Sequence, residues 1–389
     1  MTLIIPDIHA DLTRLELALA YAGDGPIAFL GDFIDQGPWS KEKPTDGAVL
    51  NKVRELIESG RAVAVMGNHE LNAILYHRYD AGGHPLRKHS KKNTDQHKSF
   101  LEEFGLASDK ALAWTSWFLE ALPLWHEGDG FRLVHAYWSD EDIDLVKRRR
   151  PDGHLQLEDL PEIASENTPF GQAVKRLTSG PEITLPDGYY MTDVKGKKRR
   201  EVRFCWWRAA GTWRDAALSV PDMSTLPDLP LPPEFAALAD FSDAPPTFIG
   251  HYKMMGNPKF ENSKVICLDY PYSACVYRFD REAQLLSQNL IDATRMALSK
   301  PAPPLGPNHP AITRRARVVF SVGKDHEAAV KEALGIDAEA ADSDTFDIRF
   351  IWSTWYGDYM GDDETILYRL GHALGKDVKF SINWQASQY

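Results

Sequence analysis

Three short apolar runs, each followed at once by polar residues, constrain the fold of this chain most strongly. The runs are "TLIIP", "PIAFL" and "RAVAVM", and the polar residues after them are Asp7 and His9, then Asp32, then Asn68 and His69. Leucines at positions 12, 15 and 19 recur at helical spacing after the first run. Strands that alternate with helices indicate an open α/β sheet, whose functional sites form at the carboxyl ends of the strands. We therefore expect the three polar loops to converge on one site.

The length and the net charge limit the classes of protein to which this chain can belong. A chain of 389 residues with 43% apolar residues is long enough for two or three packed domains. Its formal net charge of −12 argues against a protein that grips nucleic acid along its whole surface, because phosphate binding needs clustered Lys and Arg. Stable nucleic-acid binding is therefore not expected, although local basic loops leave it open.

The cysteines and the apolar segments bear on the compartment. Cys205, Cys267 and Cys275 form no pair at redox or metal-ligand spacing, which indicates a reducing compartment, and we expect the cytoplasm. The apolar opening lacks the basic segment and cleavage site of a signal peptide, and no stretch approaches the ~20 apolar residues of a membrane span. The sequence therefore predicts no membrane partner.

Five motifs in order resemble those of the calcineurin-like metallophosphoesterases. Asp7-Ile8-His9, "GDFID" at 31–35 and "GNHE" at 67–70 look like the first three motifs of that superfamily, and His135 and Gly250-His251 follow later apolar runs. The resemblance covers about residues 1–290 and is closest to the branch of phosphoprotein phosphatases and diadenosine tetraphosphatases, which includes bacterial stand-alone phosphatases. It implies an α/β fold, a β-sandwich flanked by helices.

The resemblance also implies two divalent metal ions and their ligands. One ion would be held by Asp7, His9 and Asp32, and the other by Asp32, Asn68, His135 and His251, so that Asp32 bridges both. Manganese is expected, with iron or zinc open, because nitrogen and oxygen ligands discriminate weakly among these metals. In the family, the position of His69 protonates the leaving oxygen and is oriented by the carboxylate that here is Asp35. An imidazole beside a carboxylate stays cationic more readily.

Each motif has a structural interpretation when it is taken alone. The Asp7 and His9 pair is also typical of a loop cap, and "GNHE" of a helix N-terminus with Asn68 as the capping residue. His135 is compatible with an interior histidine that has its hydrogen bonds satisfied. The ordered set at strand ends favours a metal site, because independent coincidences at all five places are improbable together.

Gln36 departs from the resemblance in the phosphate-binding residues. Typical protein phosphatases have Arg at this position, which clamps phosphate through two hydrogen bonds, whereas Gln donates one neutral hydrogen bond. Arg208 in "FCWWRAAG" and Lys253 in "GHYK" are candidates for a compensating cation. Arg208 is equally compatible with stacking on Trp206 or Trp207. The single His of "GHYK" matches the phosphoprotein phosphatase pattern.

Several segments lie outside the resembling motifs. We assign residues 1–299 to the metallophosphoesterase domain, with an insertion at about 140–245, residues 300–310 to a Pro-rich linker, and 311–389 to a small α/β domain of unknown role. The insertion holds "DGYYMTDVKGKKRREVRFCWWR", which predicts two strands around Gly196, and "LPDLPLPPEF", which predicts an extended loop. The tail predicts strand, helix, strand, helix, strand. The basic tracts 87–98, 147–150 and 195–203 form either a rim that attracts phosphorylated substrate or solvated faces.

The chemistry expected from these residues is hydrolysis of a phosphoric ester by a two-metal site, as in a phosphatase of the phosphoprotein phosphatase type. Phosphoproteins, dinucleoside polyphosphates, nucleic-acid phosphoesters and small phosphoesters all fit the motifs as substrates. The alternative from another class is a non-catalytic binding module on the same fold, whose signature would be missing ligands. All of the expected ligands are present in the sequence.

Overall fold

The computed structural model describes residues 1–37, 40, 43–192, 196–236, 241–294 and the strand residues 315–321, 339–340 and 345–351. The chain forms two compact units, one of residues 1–254 and 258–297, and a second of residues 255–257 and 298–389. The predicted linker at 300–310 lies outside the described residues, so its bounds stay a prediction.

The first sheet contains the three predicted strands. It has the order β14-β13-β1-β2-β3, formed by β1 (Thr2–Ile5), β2 (Ile27–Phe29), β3 (Ala62–Ala64), β13 (Cys275–Phe279) and β14 (Leu290–Asp292). Strands β1, β2 and β3 are parallel, with Leu3 opposite Ile27 and Phe29 opposite Ala64. Their carboxyl ends therefore meet at one edge, as the sequence predicted.

The second sheet carries the later motifs. Its order is β12-β11-β5-β4, formed by β4 (Trp125–Glu127), β5 (Arg132–Val134), β11 (Thr247–Ile249) and β12 (Val265–Cys267), with β5, β11 and β12 parallel. Aromatic side chains join the sheets: the ring of Phe248 on β11 lies 5.1 Å from that of Tyr277 on β13 and 5.9 Å from that of Phe279. The two sheets thus share one core, which is the predicted sandwich.

Helices cover the sandwich between these strands. They are α1 (Leu12–Leu19), α2 (Asp46–Glu58), α3 (Asn68–Tyr76), α4 (Lys91–Gln96), α5 (Lys98–Phe104), α6 (Asp109–Ala121), α7 (Asp140–Lys147), α8 (Leu160–Ser165), α9 (Pro169–Ser179), α10 (Trp213–Ala216) and α11 (Pro233–Ala236). Helix α1 begins where Asp11 accepts a hydrogen bond from the backbone N–H of Arg14, and it buries Leu15 as the leucine spacing predicted. None of the helices in the described ranges is long and apolar enough to cross a bilayer.

The insertion contains short strands in addition to helices α7 to α11. Strands β7 (Met191–Thr192) and β8 (Lys198–Arg199) pair on either side of Gly196, while β9 (Glu201–Phe204) leaves that hairpin and pairs with β6 (Glu182–Thr184) and β10 (Ala217–Leu218). Val202 and Phe204 are buried on alternate positions, which explains why β9 joins the larger sheet. The prediction of an extended loop was wrong at its end, because α11 begins at Pro233, a residue suited to a first helical turn.

The second unit is described by its strands. They are β15 (Arg315–Ser321), β16 (Glu339–Ala340) and β17 (Thr345–Ile351), in the antiparallel order β15-β17-β16. Strands β15 and β17 correspond to the first two strands predicted in the tail. The two predicted tail helices and the last predicted strand lie outside the described residues.

Candidate metal centre

Five loops bring the predicted ligands to one buried site. Asp7 and His9 follow β1, Asp32 follows β2, Asn68 opens α3, His135 follows β5 and His251 follows β11. The Asp and His side chains of this set are at most 5% exposed. Two groups of donor atoms lie within 4.8 Å of one another: one is formed by His9, Asp32 and His69, and the other by Asp32, His135 and His251.

Asp32 belongs to both groups. Its Oδ2 atom lies 3.4 Å from Nε2 of His135, 3.9 Å from Nε2 of His69 and 4.0 Å from Nε2 of His9. A carboxylate oxygen between two sets of imidazoles is in the position that a bridging ligand requires. The bridging role that the resemblance implied for Asp32 is compatible with this position and stays a prediction.

The remaining ligand atoms are oriented by hydrogen bonds. The Nδ1 atoms of His9 and His135 donate to the carbonyls of Asp35 at 3.1 Å and Leu30 at 2.6 Å, which leaves each Nε2 as the metal-binding nitrogen. Nδ1 of His251 lies 2.6 Å from Oδ1 of Asn68. Within the described part of the chain, Nε2 of His251 is buried and has no hydrogen-bond partner. Such an atom, in a site of imidazoles, carboxylates and an amide oxygen, fits a divalent transition metal.

Glu70 fixes the ligand loops to one another. Its carboxylate accepts hydrogen bonds from the backbone N–H groups of Asp32 at 2.8 Å, Phe33 at 2.8 Å and Gly67 at 3.1 Å. The sequence predicted a helix N-terminus at "GNHE", but it did not predict this contact of Glu70 with Asp32 across 38 residues. A Cβ at Gly67 would collide with Oδ1 of Asp32, so the loops approach too closely for any side chain there.

The ligand loops also adopt a backbone conformation that is uncommon outside glycine. The φ angles are 52° at His9, 52° at Asp32, 65° at Asp35 and 72° at His251. Non-glycine residues in the left-handed region cost roughly 1–3 kcal/mol each and persist where surrounding contacts determine the conformation. The contacts of Glu70 are of that kind.

Burial and neighbouring charges shift the pKa values of the site residues. Burial alone would lower the pKa of His135, but the carboxylate of Asp32 raises it to about 10. Against burial, His135 and His69 hold the pKa of Asp32 well below its usual range. Burial and the carboxylate of Asp269 raise the pKa of Asp7 well above its usual range. Since ligands bind metal in their deprotonated form, protons must leave the site when a metal enters.

Asp35 and His69 form the predicted pair, and two further histidines continue the hydrogen bonds from Asp35. Nδ1 of His69 lies 2.8 Å from Oδ2 of Asp35, and Nδ1 of His97 lies 2.6 Å from Oδ1 of the same carboxylate. Nε2 of His97 lies 2.9 Å from Nε2 of His77, whose Nδ1 accepts the backbone N–H of Ala107 at 2.9 Å. We call this the Asp35–His97–His77 chain.

The backbone N–H at its end sets the proton positions along this chain. Because a backbone N–H only donates, Nδ1 of His77 accepts, and the proton of the neutral ring is on Nε2. Burial and the neighbouring His97 lower the pKa of His77 to about 4, so the ring is neutral at pH 7. His77 therefore donates to Nε2 of His97, and His97 donates from Nδ1 to Asp35. No role was predicted for His97, because it lies in the basic tract 87–98, for which a substrate-attracting rim and a solvated face were the two interpretations.

The predicted phosphate-binding residues differ in their surroundings. The guanidinium of Arg208 pairs with Glu261 at 2.5 Å and donates to the carbonyl of Asp215, so Glu261 would have to release it before it bound phosphate. Burial and, more weakly, the positive charge of Lys253 oppose protonation of His9, His69 and His251, so the charge of Lys253 reaches the site. The backbone N–H of Gln36 donates to Oγ of Ser99 at 3.0 Å.

Arg203 is a further cation near the ligands. Burial and the charge of Arg203 hold the pKa of His251 well below its usual range. The arginine predicted from the sequence as a compensating cation is Arg208, five positions later. Arg203 lies on β9, the strand that leaves the basic hairpin, so its placement depends on a pairing that local sequence does not reveal.

Comparison with known proteins identifies this part of the chain. Residues 2–192 match the family model of the calcineurin-like phosphoesterases. These residues form a calcineurin-like phosphoesterase domain. Divalent metal ions are the cofactors that this family implies, and the buried Asp and His groups of the site fit them.

Curated relatives of the calcineurin-like phosphoesterase domain match over short stretches. A symmetrical bis(5'-nucleosyl)-tetraphosphatase of Ralstonia nicotianae is 31% identical over 144 residues, which are 36% of this chain and 44% of that protein. The enzyme of the same name from Burkholderia pseudomallei is 39% identical over 67 residues, which are 17% of this chain and 21% of that protein. The chain thus spans less than half the length of these relatives.

Solved structures match this chain at lower identity. A protein serine/threonine phosphatase from Saccharomyces cerevisiae is 16% identical with a TM-score of 0.38, over 75% of this chain and 78% of that one. A cold-active protein-tyrosine phosphatase of a psychrophilic Shewanella is 13% identical with a TM-score of 0.34, over 73% and 80%.

Proposed function

We propose that the chain is a dinuclear metal-dependent phosphoric ester hydrolase, a phosphatase of the phosphoprotein phosphatase type. The observation that carries this proposal is the position of Asp32, whose Oδ2 lies between the two groups of imidazoles. The ligands are those of the resemblance, with Asp7 and His9 on one side of Asp32 and Asn68, His135 and His251 on the other. Two divalent ions held there, manganese first, supply Lewis acidity and lower the pKa of a water.

His69 is proposed as the group that protonates the leaving oxygen. Its Nδ1 is held by Asp35, so Nε2 is the nitrogen that faces the site. Burial opposes a cationic ring, but Asp32 and Asp35 raise the pKa of His69 above its ordinary value. The amide nitrogen of Gln96 lies 3.3 Å from Nε2 and can only donate, so this contact belongs to the neutral ring and must open when Nε2 takes up the proton that it delivers. The proton then moves from Nε2 to the departing oxygen.

Positive charge for the phosphoryl oxygens comes from residues other than Gln36. Lys253 and Arg203 both act electrostatically on His251, which supports them as the source of positive charge near the second group of ligands. Arg208 would join them after its pair with Glu261 opens. A neutral Gln36 adds one hydrogen bond without charge.

The substrate is a phosphorylated molecule, and proteins, nucleotides and small phosphoesters remain candidates. The names of the curated relatives support a dinucleoside polyphosphate as the alternative to a phosphoprotein. Three free, buried cysteines suit a reducing, cytoplasmic compartment.

Metal analysis and hydrolysis of nitrophenyl phosphate by the full chain test this proposal. We expect metal-dependent turnover that a chelator removes, and a loss of metal together with at least ~10³-fold of kcat in Asp32→Asn, because an amide cannot supply the shared negative charge. Asp24→Asn, at an exposed position, is the matched control. Two bound metals and a near-normal rate in Asp32→Asn would refute the bridge, and metals without hydrolysis would favour a binding module.

A further inference from the structure

A cavity of about 300 Å³ opens beside the candidate metal centre. Asn68 lines one end, and leucines 71 and 75 of α3 with Ile163 of α8 form an apolar wall. Three basic residues line the rest, Arg87, Lys88 and Lys175, against one acidic residue, Glu166. The volume lies at the lower end of the range for small-molecule sites. We call this cavity the Arg87 pocket.

The basic residues of the pocket differ in whether a carboxylate balances their charge. Lys175 is paired with Glu166. In contrast, no carboxylate in the described ranges forms an ion pair with Arg87 or Lys88. Arg87 is half-buried, and its Nη2 donates to the neutral side chains of Asn93 at 3.3 Å and Gln96 at 3.0 Å. A half-buried cation held by neutral groups is an effective binding partner for an anion.

Hydrogen-bonded side chains link the Arg87 pocket to the proposed acid. Gln96 joins Arg87 to the proposed acid, because its Oε1 accepts from Arg87 and its Nε2 lies 3.3 Å from Nε2 of His69. Arg87 is therefore one side chain away from His69. Because the group that protonates a leaving oxygen must lie close to it, the link through Gln96 makes this cavity a candidate site for the rest of the leaving group.

We propose that the Arg87 pocket binds the leaving group, and that this leaving group carries a phosphate of its own, as a nucleoside diphosphate does. This inference rests on the proposed function of the metal centre. In the reaction, the oxygen of water forms a bond to phosphorus, the bridging P–O bond breaks, and its electron pair goes to the leaving phosphate. The apolar wall is the surface for the nucleoside portion. A leaving alcohol from a serine side chain has no charge for Arg87 and Lys88 to bind.

Binding of ADP to the full chain tests the pocket without turnover. Calorimetry on chelator-treated protein compares the wild type, Arg87→Gln with Lys88→Gln, and the control Lys91→Gln, whose lysine is exposed and paired with Asp95. Because each charged hydrogen bond is worth about a factor of ten or more, we expect the double variant to bind ADP at least ~10-fold more weakly. Equal affinity in all three proteins would overturn the proposal.

Three substrates that transfer the same terminal phosphoryl group, but differ in their leaving groups, show which part of the substrate the Arg87 pocket binds. Nitrophenyl phosphate has a good leaving group without phosphate, phenyl phosphate has a poor one, and ATP releases ADP. We expect the double variant to lose about 10- to 100-fold in kcat/KM on ATP, at least ~10-fold more than on either aryl phosphate. Lys91→Gln should retain the wild-type values.

Each of the other outcomes would contradict the proposed binding of the leaving group in the Arg87 pocket, and each for a different reason. An equal loss on all three substrates would show that Arg87 binds the transferred phosphoryl group. A loss confined to phenyl phosphate would show that it acts through Gln96 on His69, and no loss would show that the pocket does not take part. If the metal-loaded wild type hydrolyses none of them, the proposed function fails, and ADP affinity alone then decides whether the pocket binds phosphate.

Discussion

Asp35 accepts hydrogen bonds from two imidazoles, at 2.8 Å from His69 and 2.6 Å from His97, one on each carboxylate oxygen. Burial would favour the neutral acid, but His97 and His69 lower the pKa of Asp35 to about 2. The carboxylate therefore stays charged at neutral pH and holds the Nδ1 proton of His69. The proposed acid is thus oriented from the side opposite to the substrate.

His69→Asn tests the acid. We expect metal content to persist and kcat to fall by ~10²–10⁴-fold on phenyl phosphate, whose leaving group needs a proton. The loss should shrink on nitrophenyl phosphate, which leaves without help. His84→Asn, at an exposed histidine, is the control. Equal losses on both substrates would count against His69 as the proton donor.

His97 is expected to position the acid through Asp35. In His97→Leu, a buried carboxylate oxygen loses its donor, which costs roughly 1–3 kcal/mol. We expect kcat to fall more than KM changes, with the larger loss on phenyl phosphate than on nitrophenyl phosphate. His97→Asn keeps a donor near the place of Nδ1 and should recover most of the rate. If the two variants are equally impaired on both substrates, His97 serves packing alone.

The features that could be predicted from the sequence are those that depend on local pattern, such as the strands that precede the site loops. The strands before Asp7, Asp32 and Asn68 are continuous apolar runs, and their order along the chain determines where parallel strand ends meet. Glu70, His97 and Arg203 were missed because their partners are distant in sequence: Glu70 bonds Asp32 across 38 residues and His97 bonds Asp35 across 62. A polar residue shows its role only after tertiary packing has brought its partner beside it.

Metal binding should release a proton from His135. With a pKa of about 10, this ring is protonated at pH 7 and becomes a ligand only when the metal displaces that proton. We expect manganese affinity to rise with pH between about 6.5 and 8.5, by about ten-fold per unit for each displaced proton. Calorimetry in buffers of different ionisation enthalpy counts the protons. His135→Gln should release about one fewer, and an unchanged count would contradict the assignment.

Asp46 should make stability depend on pH. Burial raises the pKa of this carboxyl, whose Oδ1 accepts from the backbone of Asp35, from 3.8 to about 6. The folded state therefore holds its proton more tightly, and the resulting stability is fully present below about pH 4 and lost as the pH rises through about 6. We expect a loss of about 3 kcal/mol relative to Asp46→Asn, which has no proton to lose. Urea unfolding of both proteins at about pH 4 and pH 8 measures it, and a constant difference would refute it.

The Asp35–His97–His77 chain ends at the N–H of Ala107, in the loop before α6. Every residue but proline carries that donor, so nearly any substitution at position 107 preserves the group that sets the direction of the hydrogen bonds. The φ angle of Ala107 is 49°, a conformation that a proline ring cannot adopt, so the one residue that would remove the donor is also excluded by geometry. Mutations at position 107 therefore preserve the direction of the hydrogen bonds in the Asp35–His97–His77 chain. Where relatives differ in this hydrogen-bonded chain, we expect the changes at the histidines rather than at the backbone donor.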